Sequence, residues 1–240
     1  MEHSREKEEE MLKRIIGVSV LLIAISLILA TTQAMAAPSR VFVTSTTYTG
    51  GGFGGLSGAD NVCNQLAAGA SLGGTYTAWL SDDTTSAADR VYHNPEGYIT
   101  TNGDMVANSW ADLINADFPH PPGADLLHTI NYDENGVDVG TVQPWSGTFE
   151  NGQSSVNNCE NWSTSVNDFR GDTGLTNDVN EYWSEYTAEG CDLAMPLYCF
   201  ENQPPPPAPI PVMNEWGMII LSVILAALSL YVMRRRIRTS

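Results

Sequence analysis

Four cysteines constrain what this chain can fold into more than any other feature. Cys63, Cys159, Cys191 and Cys199 lie 96, 32 and 8 residues apart. None of these gaps is the C-x2-C spacing of a zinc site. Three of the four fall between Asn158 and Phe200, each with a tryptophan or tyrosine nearby (Trp162, Trp183, Tyr198). Four cysteines allow three pairings, and spacing does not choose among them. A Cys63–Cys199 bond would tie the two ends of a domain, and Cys159–Cys191 would then close a smaller loop inside it.

That the cysteines are oxidised follows from the start of the chain. Residues 1–36 read as an export signal. Lys13 and Arg14 precede an apolar run over residues 15–30, and Ala34-Met35-Ala36 is a small-x-small cleavage site. Met11 opens the more ordinary form of such a signal, because it removes the acidic run Glu8-Glu9-Glu10. Export delivers the chain to an oxidising compartment, where paired cysteines persist.

The exported part, 37–203, carries three arginines (Arg40, Arg90, Arg170), no lysine and 22 acids, a formal charge of −19. Such a surface repels phosphate backbones, which excludes nucleic acid as a partner, and it repels heparin-like polyanions for the same reason.

Along the chain, Val41-Phe42-Val43 reads as a strand. After the glycine-rich stretch 50–58, Ser57-x-x-Asp60 forms a capping box that predicts a helix to about Ala68. Its buried face is Ala59, Cys63, Leu66 and Ala67. Alternation predicts a strand from Thr75 to Ser81 with Tyr76, Ala78 and Leu80 on one side. Ser86-x-x-Asp89 starts a short helix. Ile99 marks a strand, Ser109 to Ile114 a helical turn, and His120-Pro121-Pro122-Gly123 a loop. Residues 127–142 read as a hairpin with a type I′ turn at Asn135-Gly136. Residues 143–180 are rich in Gly, Asn, Ser and Asp and read as a long loop region, and Met195 to Phe200 as the last strand. A domain of roughly 165 residues suffices for one core burying about 70% of its unfolded surface.

Beyond it, 204–209 is a proline-rich spacer. Residues 210–240 hold an apolar run, 216–233, long enough to span a membrane as a helix. Arg234, Arg235, Arg236 and Arg238 follow and set the tail inside.

Two segments resemble known families. Cys159-Glu160-Asn161-Trp162-Ser163-Thr164, then Cys191 and Cys199-Phe200-Glu201-Asn202, resemble the end of the endostatin domain of collagen XVIII, a relative of the C-type-lectin fold. Leu56-Ser57-Gly58-Ala59-Asp60, Cys63, Gly73-Gly74-Thr75 and Ala78-Trp79-Leu80-Ser81 resemble its start. The chain looks closer still to a bacterial surface-protein family of unassigned function with the same fold. Over residues 41–201 the resemblance implies an α+β, endostatin-like or C-type-lectin-like domain with nested disulfides, Cys63–Cys199 and Cys159–Cys191. The heparin site and the N-terminal zinc histidines of animal endostatin do not carry over, because the arginine patch is missing and residues 37–45 contain no histidine.

The tail resembles the IPTL-type sorting signal. Ile210, Pro211, Glu215, Trp216 and Gly217 match, while Val212 and Met213 stand where that family has Thr-Leu. This resemblance implies recognition by an exosortase-type enzyme at the envelope of a Gram-negative bacterium.

For chemistry the motifs are incomplete. Asn131-x-Asp133-x-Asn135-Gly136-x-Asp138 resembles half of a calcium loop, but Val142 stands where the bidentate Glu belongs. Asp133, Asn135 and Asp138 are thus calcium candidates only, and no other cofactor is expected. Gly55-Leu56-Ser57-Gly58-Ala59 falls short of a nucleophile elbow. Arg170-Gly171-Asp172 is the integrin tripeptide, read here as a turn. His93, His120 and His128 fit no zinc spacing. Asn94-Pro95-Glu96 is the reverse of a sugar-binding lectin tripeptide. Trp145, Trp162 and Trp183 are candidates to stack on a ligand or to fill the core. The expectation is a non-enzymatic, surface-anchored binding or adhesion module, held by the C-terminal helix before or instead of processing, whose ligand is an envelope or matrix glycan or protein. The alternatives are a structural matrix protein without a specific ligand and a carboxylate-based glycan-processing enzyme.

Overall fold

Strand β1 (Ser39–Val43) lies inside a five-stranded sheet of order β2-β7-β1-β3-β4, with β2 at Thr75–Ala78, β3 at Tyr98–Thr100, β4 at Met105–Ala107 and β7 at Tyr198–Gln203. It runs parallel to β3 and antiparallel to β7, with Val41 opposite Phe200. Chain entry and exit therefore sit side by side at one end of the sheet. In this computed structural model the described residues are 37–114 and 126–203, together with Glu10 and Ser222. Apart from Glu10 and Ser222, the export signal, the His120 loop, the spacer, the sorting segment and the expected helix 216–233 lie outside them. Among the described residues no helix is long and apolar enough to cross a membrane.

Side-chain alternation along the central strands makes two cores. On one face Phe42, Tyr76, Ala78, Leu80 and Cys199 pack against helix α1 (Gly55–Gly69) through Ala59, Cys63 and Ala67. On the other, Val41, Val43, Trp79, Tyr98, Tyr198 and Phe200 meet Trp183 and Val106. The face Tyr76-Ala78-Leu80 is the one the alternation predicts. The residues between are buried as well, since the sheet is covered on both sides, and the strand is shorter than read, ending at Ala78. The last strand likewise runs later than Met195 to Phe200. Two short helices stand where read: α2 (Ala87–Arg90), with the full Ser86–Asp89 capping box, and α3 (Trp110–Ile114).

The capping box expected at Ser57 and Asp60 does not form. Helix α1 starts three residues earlier, after left-handed Gly54, and has no side-chain cap. Asp60 finds stronger partners on the sheet, because a charged donor and a strand N–H outweigh a helix N–H. Its Oδ1 accepts from Arg90 Nη2 at 2.6 Å and from the Ala78 N–H at 2.9 Å. One turn on, Asn64 accepts from the Tyr76 N–H at 2.9 Å and donates to the Tyr76 carbonyl at 2.7 Å. Arg90 also donates to the Ala78 and Leu80 carbonyls. Side chains thus occupy the outer edge of β2, where unpaired backbone groups would template association. Asn64→Ala is expected to cost about 2 kcal/mol by orphaning both Tyr76 groups. Urea unfolding of the mature protein checks this, and a change below about 0.5 kcal/mol would contradict the clamp.

Two disulfides close the domain, Cys63–Cys199 and Cys159–Cys191, the nested pairing that the endostatin resemblance implies. Residues 127–142 form less of a hairpin than expected: a single bridge, Tyr132 to Asp138, closes a three-residue loop between Asp133 and Val137. Gly136 is left-handed (φ +75°) and Asn135 is not. The turn is therefore not type I′, which needs both central residues left-handed.

Candidate functional site

The stretch 143–180, read as loop, holds order of an unusual kind. Cys159, Glu160, Asn161 and Trp162 take φ of 51°, 53°, 58° and 56°, a full left-handed turn of non-glycine residues. Each such residue costs about 1–2 kcal/mol, and left-handed residues ordinarily occur singly. Several bonds hold the turn together. Asn158 Oδ1 accepts from the Asn161 N–H at 2.9 Å. The Asp83 carboxylate accepts from Asn158 Nδ2 at 2.7 Å and Asn161 Nδ2 at 3.1 Å, and the Asp83 N–H donates to Asn161 Oδ1 at 2.9 Å. Trp162 Nε1 donates to the Ser81 carbonyl at 2.8 Å, and Cys191 pins the start of the turn.

Strands β5 (Arg170–Thr173) and β6 (Thr187–Gly190) form a separate antiparallel pair next to this turn. The tripeptide Arg170-Gly171-Asp172 therefore lies in a strand, not on a turn. A Cβ on Gly171 would sit 2.8 Å from Cys159 Sγ and 2.9 Å from the Trp145 ring, so glycine is required there for packing. The tripeptide reading gives way to that structural role.

Between β5 and β6 runs Glu181-Tyr182-Trp183-Ser184-Glu185-Tyr186, opened by a 3₁₀ turn over Glu181–Trp183. Trp183 points inward onto Trp79, Tyr198 and Phe200. Ser184 follows it in, accepting from Trp79 Nε1 at 2.7 Å. Tyr182 and Tyr186 point out. Their rings meet edge to face at 5.9 Å, and each is 43% exposed. Glu185 is exposed beside them and close to Asp172, Glu181 and the Glu150 backbone. Partial burial raises its carboxyl above the ordinary value, the charges of Asp172 and Glu181 add to this, and the hydrogen bond with the Glu150 backbone opposes it.

Trp145, Trp162 and Trp183 are all 0% exposed, so none presents a ring to a ligand; they are core. The exposed aromatic pair is the two tyrosines flanking Trp183, which sequence reasoning missed. No local period marks them, because Ser184 is buried next to Trp183 while Tyr182 and Tyr186 are exposed.

The calcium candidates come out divided. Asp133 is buried, and its Oδ1 accepts from the Asn135 and Val137 N–H groups at 2.8 and 2.9 Å, so that oxygen closes its own loop. Asp138 binds Asn131 and the Gly140 N–H. Glu134, in the same turn, is buried against Ser45. Ser57 lies inside α1 and is no elbow. His93 stacks on Trp110 at 3.9 Å, and His128 sits 3.7 Å from Asp104. Asn94 is buried and ties the entry of β1 through Ala37 and Ser39. No group of three or more His, Cys, Asp or Glu side chains suited to a metal occurs among the described residues.

At the opposite face Glu201 is buried between Arg40 and Tyr76 on neighbouring strands. It accepts from the Arg40 N–H at 2.9 Å and lies 3.7 Å from the guanidinium. Burial raises its carboxyl, and Arg40 partly opposes the rise. Burial, with the charge of Glu201 adding, pushes the Tyr76 phenol up to about 12. A carboxyl raised in the folded state holds a proton that the unfolded chain has lost. Its contribution is complete below the unfolded value, about 4.3 for Glu, and is lost as pH rises through the folded value. Glu201 and Glu185 thus add stability as pH falls towards the unfolded value. We expect the two carboxyls to add to the melting temperature as pH is lowered towards the unfolded value of about 4.3, and that gain to shrink in E185Q/E201Q. An identical pH dependence of the melting temperature in wild type and E185Q/E201Q would contradict it.

The fold and its surface define a disulfide-stapled domain of mixed α+β class with an exposed tyrosine pair in an acidic setting. The segment beyond it, residues 208–236, matches the IPTL-CTERM motif, a C-terminal sorting signal. The chain is thereby marked for export and association with the cell surface. No curated protein matches the chain.

Proposed function

We propose that the chain is a surface-displayed recognition module of a Gram-negative envelope or matrix, with an endostatin-like or C-type-lectin-like ectodomain and no catalytic role. The observation that carries this reading is the outward Tyr182–Tyr186 pair, fixed by an inward Trp183 on a domain that ends in a sorting signal. Exposed aromatics on a rigid support are what recognition surfaces use, since two-χ rings lose little entropy on binding. In this reading an exosortase-type enzyme acts on Ile210 to Gly217, and the 216–233 run anchors the chain until then. The proline-rich residues 204–209 would reach about 19 Å if extended, enough to hold the domain off the bilayer.

A glycan and protein array probed with the mature protein is the test. A defined ligand set is expected, and an array without signal would leave the structural matrix alternative. A second reading, carboxylate-based glycan processing, draws on the raised Glu185 carboxyl beside Asp172. Release of reducing sugar that stops in E185Q would favour it.

A further inference from the structure

We propose that Asn102, in the turn joining β3 to β4, is a site of spontaneous deamidation in the folded protein, and that it converts before the chain's other two asparagine–glycine pairs. The three pairs are Asn102-Gly103, Asn135-Gly136 and Asn151-Gly152. Glycine carries no side chain to hinder its nitrogen, so each pair is open to the same reaction. The glycine nitrogen, having given its proton to a solvent base, attacks the asparagine Cγ. A C–N bond forms, the Cγ–Nδ2 bond breaks, and the amide leaves as ammonia with a proton taken from water. The cyclic imide then adds water at either carbonyl and opens to aspartate or isoaspartate. Water is the only co-reactant.

All three pairs sit in the same loop frame. Its first residue donates to the carbonyl of its fifth, Thr100 to Asp104, Asp133 to Val137 and Phe149 to Gln153, each at 2.9 Å. The glycine is left-handed in each (φ 95°, 75° and 81°), and its N–H donates to the first residue's carbonyl at 3.0, 3.0 and 2.9 Å. That bond must open before attack in every case, so it does not rank the sites.

Their surroundings do. Gly152 is buried; its carbonyl accepts from the Ala88 N–H at 3.0 Å, and a Cβ on it would sit 2.9 Å from that of Ala88. Asn151 Oδ1 accepts from the Gln153 N–H at 3.0 Å. Gly136 is half-buried, and the buried Asp133 carboxylate holds both flanks of its turn, at the Asn135 and Val137 N–H groups. Asn102 and Gly103 are both exposed, and a Cβ on Gly103 would meet nothing. Here a hydroxyl, Thr100 Oγ1, replaces the buried carboxylate and holds only the Asp104 N–H, at 3.1 Å. Among the described residues the Asn102 side chain makes one bond, from Nδ2 to the half-exposed Asp104 at 3.3 Å, and its Oδ1 makes none. Local opening is therefore easiest at the β3–β4 turn.

The test incubates the mature protein in mildly alkaline buffer and maps its peptides by mass spectrometry, following the mass gain of an amide becoming an acid. Asn102 is expected to convert at least about fivefold faster than Asn135 and Asn151, the factor set by one net hydrogen bond. In urea with the disulfides reduced the three frames are gone, and the three rates should converge. N102Q, whose longer side chain closes the ring far more slowly, should remove the early phase of ammonia release and leave the late one. Conversion of Asn135 or Asn151 as fast as Asn102 in the folded protein would overturn the proposal. So would a folded protein that keeps Asn102 intact while the unfolded chain converts it, or early ammonia release that persists in N102Q.

Discussion

Cys63→Ala with Cys199→Ala is expected to destabilise the mature protein by about 5 kcal/mol on the chain-entropy model, because the bond closes a separation of 136 residues. That is a large share of the roughly 5–15 kcal/mol that holds a domain together. The location adds to the effect, since Cys63 lies on the buried face of α1 and Cys199 in the sheet strand beneath it. The inner bond, with a separation of 32, should contribute about 4 kcal/mol on the same model. Its removal should cost less than that, because the left-handed turn at Cys159 is then free to relax and returns part of its strain. Urea unfolding of the two double variants checks the order. A loss below about 1 kcal/mol for the outer pair would contradict the role assigned to it.

The second large effect separates inward from outward residues within one hexapeptide. Trp183→Ala is expected to cost about 3–5 kcal/mol, the range for emptying a buried aromatic site. Its ring lies 4.9 Å from Trp79 and 5.9 Å from Tyr198, and a Cβ on Gly174 would come within 1.9 Å of its carbonyl oxygen, so the site has little room to collapse. Trp183→Phe should cost well under half as much, because Trp183 Nε1 has no hydrogen-bond partner among the described residues. Tyr182→Ala and Tyr186→Ala, on exposed side chains, should each stay within about 0.5 kcal/mol. Comparable losses at Trp183 and Tyr182 would contradict the orientation of this turn.

The sequence was legible where a period or a cap acts alone. Alternation placed Tyr76, Ala78 and Leu80 on one face, the 3.6-residue spacing placed Cys63 inward, and Ser86 with Asp89 formed its capping box. It was misleading where a distant partner outbid a local one. Asp60 had the spacing of a cap, yet Arg90 and the edge of β2 claimed it, and no local pattern reports an arginine thirty residues away. Asp133 looked like a cation ligand because alternating oxygens are shared by calcium loops and by self-closing turns. The left-handed turn at Cys159 was not legible at all, since none of its four residues is glycine and only Asn161 is of a type that visits that region readily. The candidate site was half visible: Trp183, a candidate for stacking or for the core, lies in the core, while no sequence pattern singled out Tyr182 and Tyr186.

Display at the cell surface through the sorting signal is the claim on which the rest depends, and the C-terminal peptide of the mature protein tests it most directly. Mass spectrometry of protein recovered from the envelope should find a chain that ends upstream of the apolar run 216–233. In cells lacking the exosortase-type enzyme the same protein should retain the apolar run and the arginines that follow it. A chain retaining the apolar run and the arginines in both would contradict processing and reduce this segment to a membrane anchor.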